Sequence, residues 1–144
     1  IRTFCARTGQ TAPETPAAFA RVIFESLALK YRLVLDDLKG ITGRPISTVH
    51  VIGGGSRNTL LCRFTAEAAG APVMAGPAEA TSLGNISLQA MALGVLKDIG
   101  EARAMIAGSF QPRRYEPGTG QTWTEALSRF RNICAAGTER ALDW

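Results

Sequence analysis

The stretch His50-Val51-Ile52-Gly53-Gly54-Gly55-Ser56-Arg57-Asn58 decides how the chain is read. Ahead of it, Ser47 to Ile52 is a short β-branched run of the kind that forms a buried strand. Behind it, Leu60, Leu61, Phe64 and Ala68 recur at helical spacing, and Gly70 stops the pattern, so a helix is expected from about Asn58 to Ala69. Three glycines between a strand and a helix permit positive φ and remove Cβ, which lets a ligand approach the backbone closely. The first turn of the following helix offers unpaired N–H groups and the positive end of its dipole. Asn58 adds a side chain that both donates and accepts. Spacing alone leaves two readings open, a nucleotide or phosphate site and a plain tight turn. The segment is not the G-x-G-x-x-G of dinucleotide folds, because Asn58 stands where the last glycine belongs. Nor is it a P-loop, since no Gly-Lys-Ser/Thr follows. No acidic residue ends a strand about 20 residues on, which counts against a dinucleotide domain.

Working outward, Pro72 to Ala75 reads as a second strand, and Gly76-Pro77 turns the chain into a helix over roughly 81–96. Small residues mark that helix (Gly84, Ala90, Ala92 and Gly94), which suggests close packing against another element. A short helix is expected over about 101–107, and 110–117 is extended and rich in proline and arginine. Thr122-Trp123-Thr124-Glu125 has the capping-box pattern and opens a last helix with Ala126, Leu127, Phe130 and Ile133 inward. The end of the chain, 137–144, reads as a tail. On the other side, Thr15-Pro16 starts a long helix whose Phe19, Val22, Ile23, Leu27, Tyr31, Val34 and Leu38 form the inward stripe, with Gly40 as its stop. Residues 1–14 show no period and read as an irregular leading segment. The alternation of strand and helix in the middle implies parallel strands joined by right-handed crossovers, an α/β fold with a parallel βαβα core and additional helices.

Composition narrows the function. The 144 residues are 46% apolar and 19% charged, the proportions of one packed domain. A net charge of +4, spread along the chain, does not argue for nucleic acid. No apolar run approaches the ~18 residues of a membrane span, and no signal peptide opens the chain. Cys5, Cys62 and Cys134 are odd in number and lack metal-ligand spacing, so neither a disulfide scaffold nor a metal site is expected. These features predict a soluble protein of the reducing cytoplasm. His50 reads as a half-buried strand residue, Cys62 as core, Glu79 as a charge at a helix start, and Arg113-Arg114 as an exposed basic turn. The chain begins at Ile1 and offers only two clear strands for its helices to cover, so a piece of a longer polypeptide is expected.

The run from His50 to Gly94, with GGGSRN at 53–58 and GPAEATSLGN at 76–85, resembles the C-terminal nucleotide-binding region of the FGGY carbohydrate kinases. Leu83-Gly84-Asn85-Ile86, where most of that family has Gly-Ala-Ala, and ESLALKYR at 25–32 resemble its rhamnulokinase branch. The likeness covers about Thr15 to Pro117. It implies a fold like that of actin, hexokinase and the heat-shock ATPases, which is ribonuclease H-like, of which this chain would be a partial C-terminal domain. It also implies ATP and Mg²⁺ as cofactors and a ketose, L-rhamnulose for that branch, as acceptor. By resemblance Gly53 and Gly54 line the ATP site, Gly55 and Ser56 are neighbours of the nucleotide, Asn58 contacts adenine, and Gly84 lies on the helix that backs the site. The catalytic Asp and the sugar pocket of such kinases belong to an upstream part with no counterpart here, so no catalytic residue is assigned and the chain alone is expected to be inactive. Other sugar kinases of the family, and a non-catalytic binding domain of the same fold, are the alternatives.

Overall fold

A computed structural model describes residues 1–118 and 121–139. The leading segment is not wholly irregular: helix α1 spans Arg2–Arg7. Thr8 closes it, its hydroxyl donating to the Phe4 carbonyl at 2.8 Å, and Gly9 follows at φ +66°. Fewer than two turns with only Cys5 buried leave no apolar period to read. Helix α2, Pro16–Thr42, begins as expected, with the Thr15 hydroxyl accepting from the Ala18 N–H and Pro16 in the first turn. It does not stop at Gly40. It runs on to Gly43, which takes the left-handed conformation at φ +63° and donates its N–H to the Lys39 carbonyl at 2.9 Å. A glycine inside a helix costs only about 1 kcal/mol, so the residue that can complete a left-handed cap sets the end.

Strand β1 is Val49–Val51 and β2 is Val73–Ala75, with helix α3, Thr59–Ala69, between them. The two strands are parallel, as expected, with Val49 opposite Val73 and Val51 opposite Ala75. The extended stretch near 110–117 supplies a third strand, β3, Arg113–Tyr115, which runs antiparallel to β2. The order β1-β2-β3 leaves β1 at one edge. Val49, Val51, Val73, Ala75 and Tyr115 pack under Cys62 and Ala66 of α3. His50 lies on the other face of the sheet and is exposed rather than half-buried.

The opposite side of α3 carries Phe64 and Ala68, which meet Ala28 and Phe24 of α2 and Trp123. Trp123 belongs to helix α6, Gln121–Glu139. Its ring stacks tilted on Phe64 with centroids 5.3 Å apart, and its Nε1–H donates to Glu67 at 2.9 Å. Leu127 of α6 is buried and Trp123 and Phe130 are half-buried, as the inward pattern predicts. The helix starts ahead of Thr122, which therefore is not its cap. It continues to Glu139, so the expected tail is helical at its beginning, and 140–144 lie outside the described residues.

Helix α4 is Ala80–Ala92 and helix α5 is Ile99–Ser109. The first is shorter than expected because Gly94, at φ +72°, lies past its end. The second starts earlier, since Asp98 caps it by accepting from the Glu101 N–H at 2.9 Å. Close packing around the small residues of α4 is not found: a Cβ on Gly84 or Gly94 would meet nothing within 4 Å.

The stripe on α2 is the largest departure. Ala28 and Leu29 are its buried residues. Ile23, Leu27, Tyr31, Val34 and Leu38, all expected inward, are exposed. Polar residues occupy part of the covered side: Arg32 donates to the Ala68 carbonyl at 2.9 Å and to Asp36 at 2.8 Å, and Arg131 of α6 pairs with Asp36 at 3.1 Å. Periodicity reports that apolar residues share a face, not that this chain covers it.

Arg32 thus places a cation and a donor at the carbonyl end of α3 while tying α2 to α6 through Asp36. Arg32→Met is expected to lower the free energy of unfolding by about 1–2 kcal/mol, read from the urea midpoint at unchanged slope. Arg21→Met, at an exposed helix pair, is expected to change it by less than about 0.5 kcal/mol.

Candidate functional site

The parallel strands β1 and β2 end side by side, and the turn that follows each is bonded to the other. The Gly76 N–H donates to the Val51 carbonyl at 2.9 Å, and the Gly53 N–H donates to the Pro77 carbonyl at 3.0 Å. Gly53 sits at φ +74°, ψ −163°, a region that only glycine enters without strain. Gly54–Arg57 then form one 3₁₀ turn. The Ser56 hydroxyl and its own N–H both donate to the Gly53 carbonyl, at 2.7 and 3.0 Å. Asn58 caps α3, its Oδ1 accepting from the Leu61 N–H at 3.0 Å. The five residues expected to serve a nucleotide (Gly53, Gly54, Gly55, Ser56 and Asn58) therefore make a single turn against the start of α3. Gly84, expected to back the site, opens onto free space.

The three glycines differ in what the fold asks of them. Gly53 is required by its backbone angles. Gly54 and Gly55 are not, since neither has positive φ. A Cβ on Gly54 would meet nothing within 4 Å, and one on Gly55 would only touch a Val51 methyl at 3.9 Å. The folded chain has room for a side chain at both, and Gly54 is exposed. The first turn of α3 carries no acidic side chain, so the positive end of its dipole is not offset from within that turn. The Asn58 cap uses the side-chain oxygen and leaves the amide NH₂ outside that bond.

Arg57 and Glu79, across the two turns, form an ion pair at 2.8 Å with both side chains largely exposed. Sequence spacing gave no sign of this pairing. Glu79 stands at the N-cap of α4 and makes no side-chain cap bond, so its charge serves the pair as well as the helix start. Below the turn, the Cys62 thiol lies 3.7 Å from the Gly55 carbonyl and 3.8 Å from that of Ser56. Burial pushes its pKa up, and the charge of Arg113 partly opposes this. Arg113 and Arg114 lie in β3 and are exposed, a strand rather than the expected turn.

A groove of about 1070 Å³ lies elsewhere, among the leading segment, α2, α3 and α6, with Gln10, Arg21, Leu29, Phe64 and Trp123 on its walls. It shares no residue with the glycine turn. Among the described residues no group of three or more His, Cys, Asp or Glu could hold a metal ion, and no helix is long and apolar enough to cross a membrane.

A sequence model of the FGGY family of carbohydrate kinases, C-terminal domain, matches residues 1–93, glycine turn and leading segment included. The chain belongs to that family. Its similar relatives include the rhamnulokinase of Bacteroides thetaiotaomicron, 49% identical over 132 residues, 92% of this chain and 27% of the relative. The rhamnulokinase of Enterococcus faecalis is 47% identical over 118 residues, 81% of this chain and 24% of that protein. That of Pectobacterium atrosepticum is 41% identical over 133 residues, 92% of this chain and 27% of that protein. The chain thus spans about a quarter of the length of these relatives, and the likeness reaches beyond Thr15 to Pro117.

Substitution at neighbouring glycines is expected to separate their roles. Gly53→Ala should cost about 1–3 kcal/mol of stability from strain alone. Gly54→Ala should leave stability within about 1 kcal/mol of the parent and on the stabilising side, since it only restricts the unfolded chain. Thermal or urea unfolding of the two variants measures both.

The raised pKa of Cys62 also has a sign. The folded chain holds the thiol proton more tightly than the unfolded one does, so this contribution is constant below the ordinary thiol value of about 8.5 and is lost as pH rises beyond it. Unfolding midpoints between pH 7 and 10 should fall only above that value, and Cys62→Ala should remove that part of the decline. A thiol reagent at neutral pH should modify exposed Cys134 roughly tenfold or more faster than buried Cys62.

Proposed function

We propose that the chain is the nucleotide-binding C-terminal part of a longer cytoplasmic kinase that transfers the γ-phosphoryl of ATP to a hydroxyl of a ketose, L-rhamnulose. The rhamnulokinase relatives support this acceptor. One observation supports the nucleotide site above the others: Gly54 is an exposed glycine the fold does not need, just ahead of α3, whose first turn carries no acidic side chain. A side chain there would stand where a ligand approaches the backbone.

The residues of the turn suit the nucleotide. Gly53 and Gly54 give close backbone access, Gly55 and Ser56 continue the wall, and the free amide of Asn58 can meet a heterocycle. Ser56 acts through its backbone shape, because its hydroxyl is held by the Gly53 carbonyl. ATP supplies the transferred phosphoryl group, and Mg²⁺ would neutralise charge on the phosphates. No residue of this chain is assigned to the metal. Phosphoryl transfer depends chiefly on positioning and on charge stabilisation, and this part contributes positioning at the nucleoside end. The base that accepts the sugar hydroxyl proton lies in the remainder of the longer protein, so the 144 residues alone do not turn over.

The test is an amide NMR titration with Mg-ATP, adenosine and NAD. Shifts shared by ATP and adenosine and clustered at residues 53–58 are expected, together with no phosphorylation of L-rhamnulose by the chain alone. Gly54→Val should weaken ATP binding roughly tenfold or more, about 1.4 kcal/mol, without lowering the unfolding midpoint. Shifts with NAD only, or a Gly54→Val variant that binds ATP like the parent, would overturn the site.

A further inference from the structure

Residues 53–58 carry three side chains, and two of them are bonded back into the chain beside them. The Ser56 hydroxyl donates to the Gly53 carbonyl, and the Asn58 Oδ1 accepts from the Leu61 N–H. Arg57, between them, reaches outward. It crosses to the turn after β2 and donates to Glu79 at 2.8 Å. The main-chain bonds from Gly76 to Val51 and from Gly53 to Pro77 hold those two turns side by side. The pair therefore lies across the carboxyl ends of the parallel strands β1 and β2, the place where open α/β sheets take their ligands.

Stability gives no reason for this pair. Its side chains are 71% and 66% exposed, and an ion pair so placed adds little to the folded state. What it does is orient. A long arginine side chain has many rotamers, and the bond to Glu79 holds the planar guanidinium of Arg57 at one place on the rim. Among the described residues no aromatic ring covers that plane, since the arginines that lie over rings are Arg2, Arg21 and Arg113. Glu79 also decides what Arg57 can offer a ligand. Its carboxylate offsets the guanidinium charge, so the pair is poorly suited to holding a phosphate. The flat face is left, and heterocyclic bases stack on guanidinium planes.

We propose that Arg57, positioned by Glu79, is the stacking surface for the purine base of the nucleotide. The proposal deepens, and rests on, the reading of residues 53–58 as the nucleotide site. Arg57 meets the face of the base, and the amide NH₂ of Asn58, outside its cap bond, meets an edge. A purine covers more of such a plane than a pyrimidine does, so purine nucleosides gain more from it.

The experiment measures dissociation constants of adenosine, Mg-ATP and uridine by amide NMR titration of the 144-residue chain. The parent is compared with Arg57→Ala, Arg57→Lys, Glu79→Gln and the double variant Arg57→Ala/Glu79→Gln. Melting midpoints of all four should stay within about 3 °C of the parent, because the pair is exposed. Arg57→Ala should weaken adenosine and ATP by the same factor, roughly fivefold, since the loss is at the base. Uridine should lose less. Arg57→Lys keeps the charge without the plane and should behave like Arg57→Ala. Glu79→Gln should weaken adenosine about twofold in the parent and add nothing once Arg57 is gone. A loss confined to ATP would make Arg57 a phosphate contact and overturn the proposal. So would an equal loss for uridine, an Arg57→Lys variant that binds like the parent, or a Glu79 effect that persists without Arg57. If ATP and adenosine shift residues 53–58 of the parent and Arg57→Ala binds both as tightly, the stacking role alone falls. A parent that binds neither sinks the nucleotide site and the role of Arg57 with it.

Discussion

Helix α3 is buried on two sides at once. Cys62 and Ala66 meet the sheet, Phe64 and Ala68 meet α2, and Ala69 is buried beside them. The small residues Cys62, Ala66, Ala68 and Ala69 let the sheet and α2 approach the helix closely, and both apolar clusters among the described residues include it. Its two ends are fixed by separate means, Asn58 at the start and Arg32 with the left-handed Gly70 at the finish. The glycine turn inherits its position from this arrangement, because it has only to join the end of β1 to a helix that cannot shift.

The sequence made this central unit legible for a physical reason. Strand, turn and helix here are each signalled locally, by β-branched residues, by glycines and by apolar spacing, and local signals survive in one chain. The parallel pairing of β1 and β2 followed from their connection through α3. What was not legible depended on partners distant in sequence. The Arg57–Glu79 pair spans 22 positions, and the third strand is recognisable only once β2 is available to pair with it. Helix α1 is too short to show a period.

The stripe on α2 failed differently. Its spacing marks a shared apolar face, but not the face this chain buries. Ala28 gave a weaker pattern than the seam of larger side chains, yet with Phe24 it packs α2 onto Phe64 and Ala68 of α3. A helix with two apolar faces tells its periodicity but not its orientation. Residue roles within the turn were likewise only half legible: three consecutive glycines look alike in a sequence, whereas the structure separates one demanded by φ from two that are not.

The paired turns after β1 and β2 are joined by main-chain hydrogen bonds, from Gly76 to Val51 and from Gly53 to Pro77. Because these bonds use no side chain, the join between the two turns is made by the main chain alone, and the side chains of Ser56 and Asn58 only brace the glycine turn from within. Side chains on its rim, such as those of Arg57 and Glu79, can then be exchanged in the course of evolution without reshaping it. A nucleotide settling there, as proposed, would freeze little chain motion in doing so.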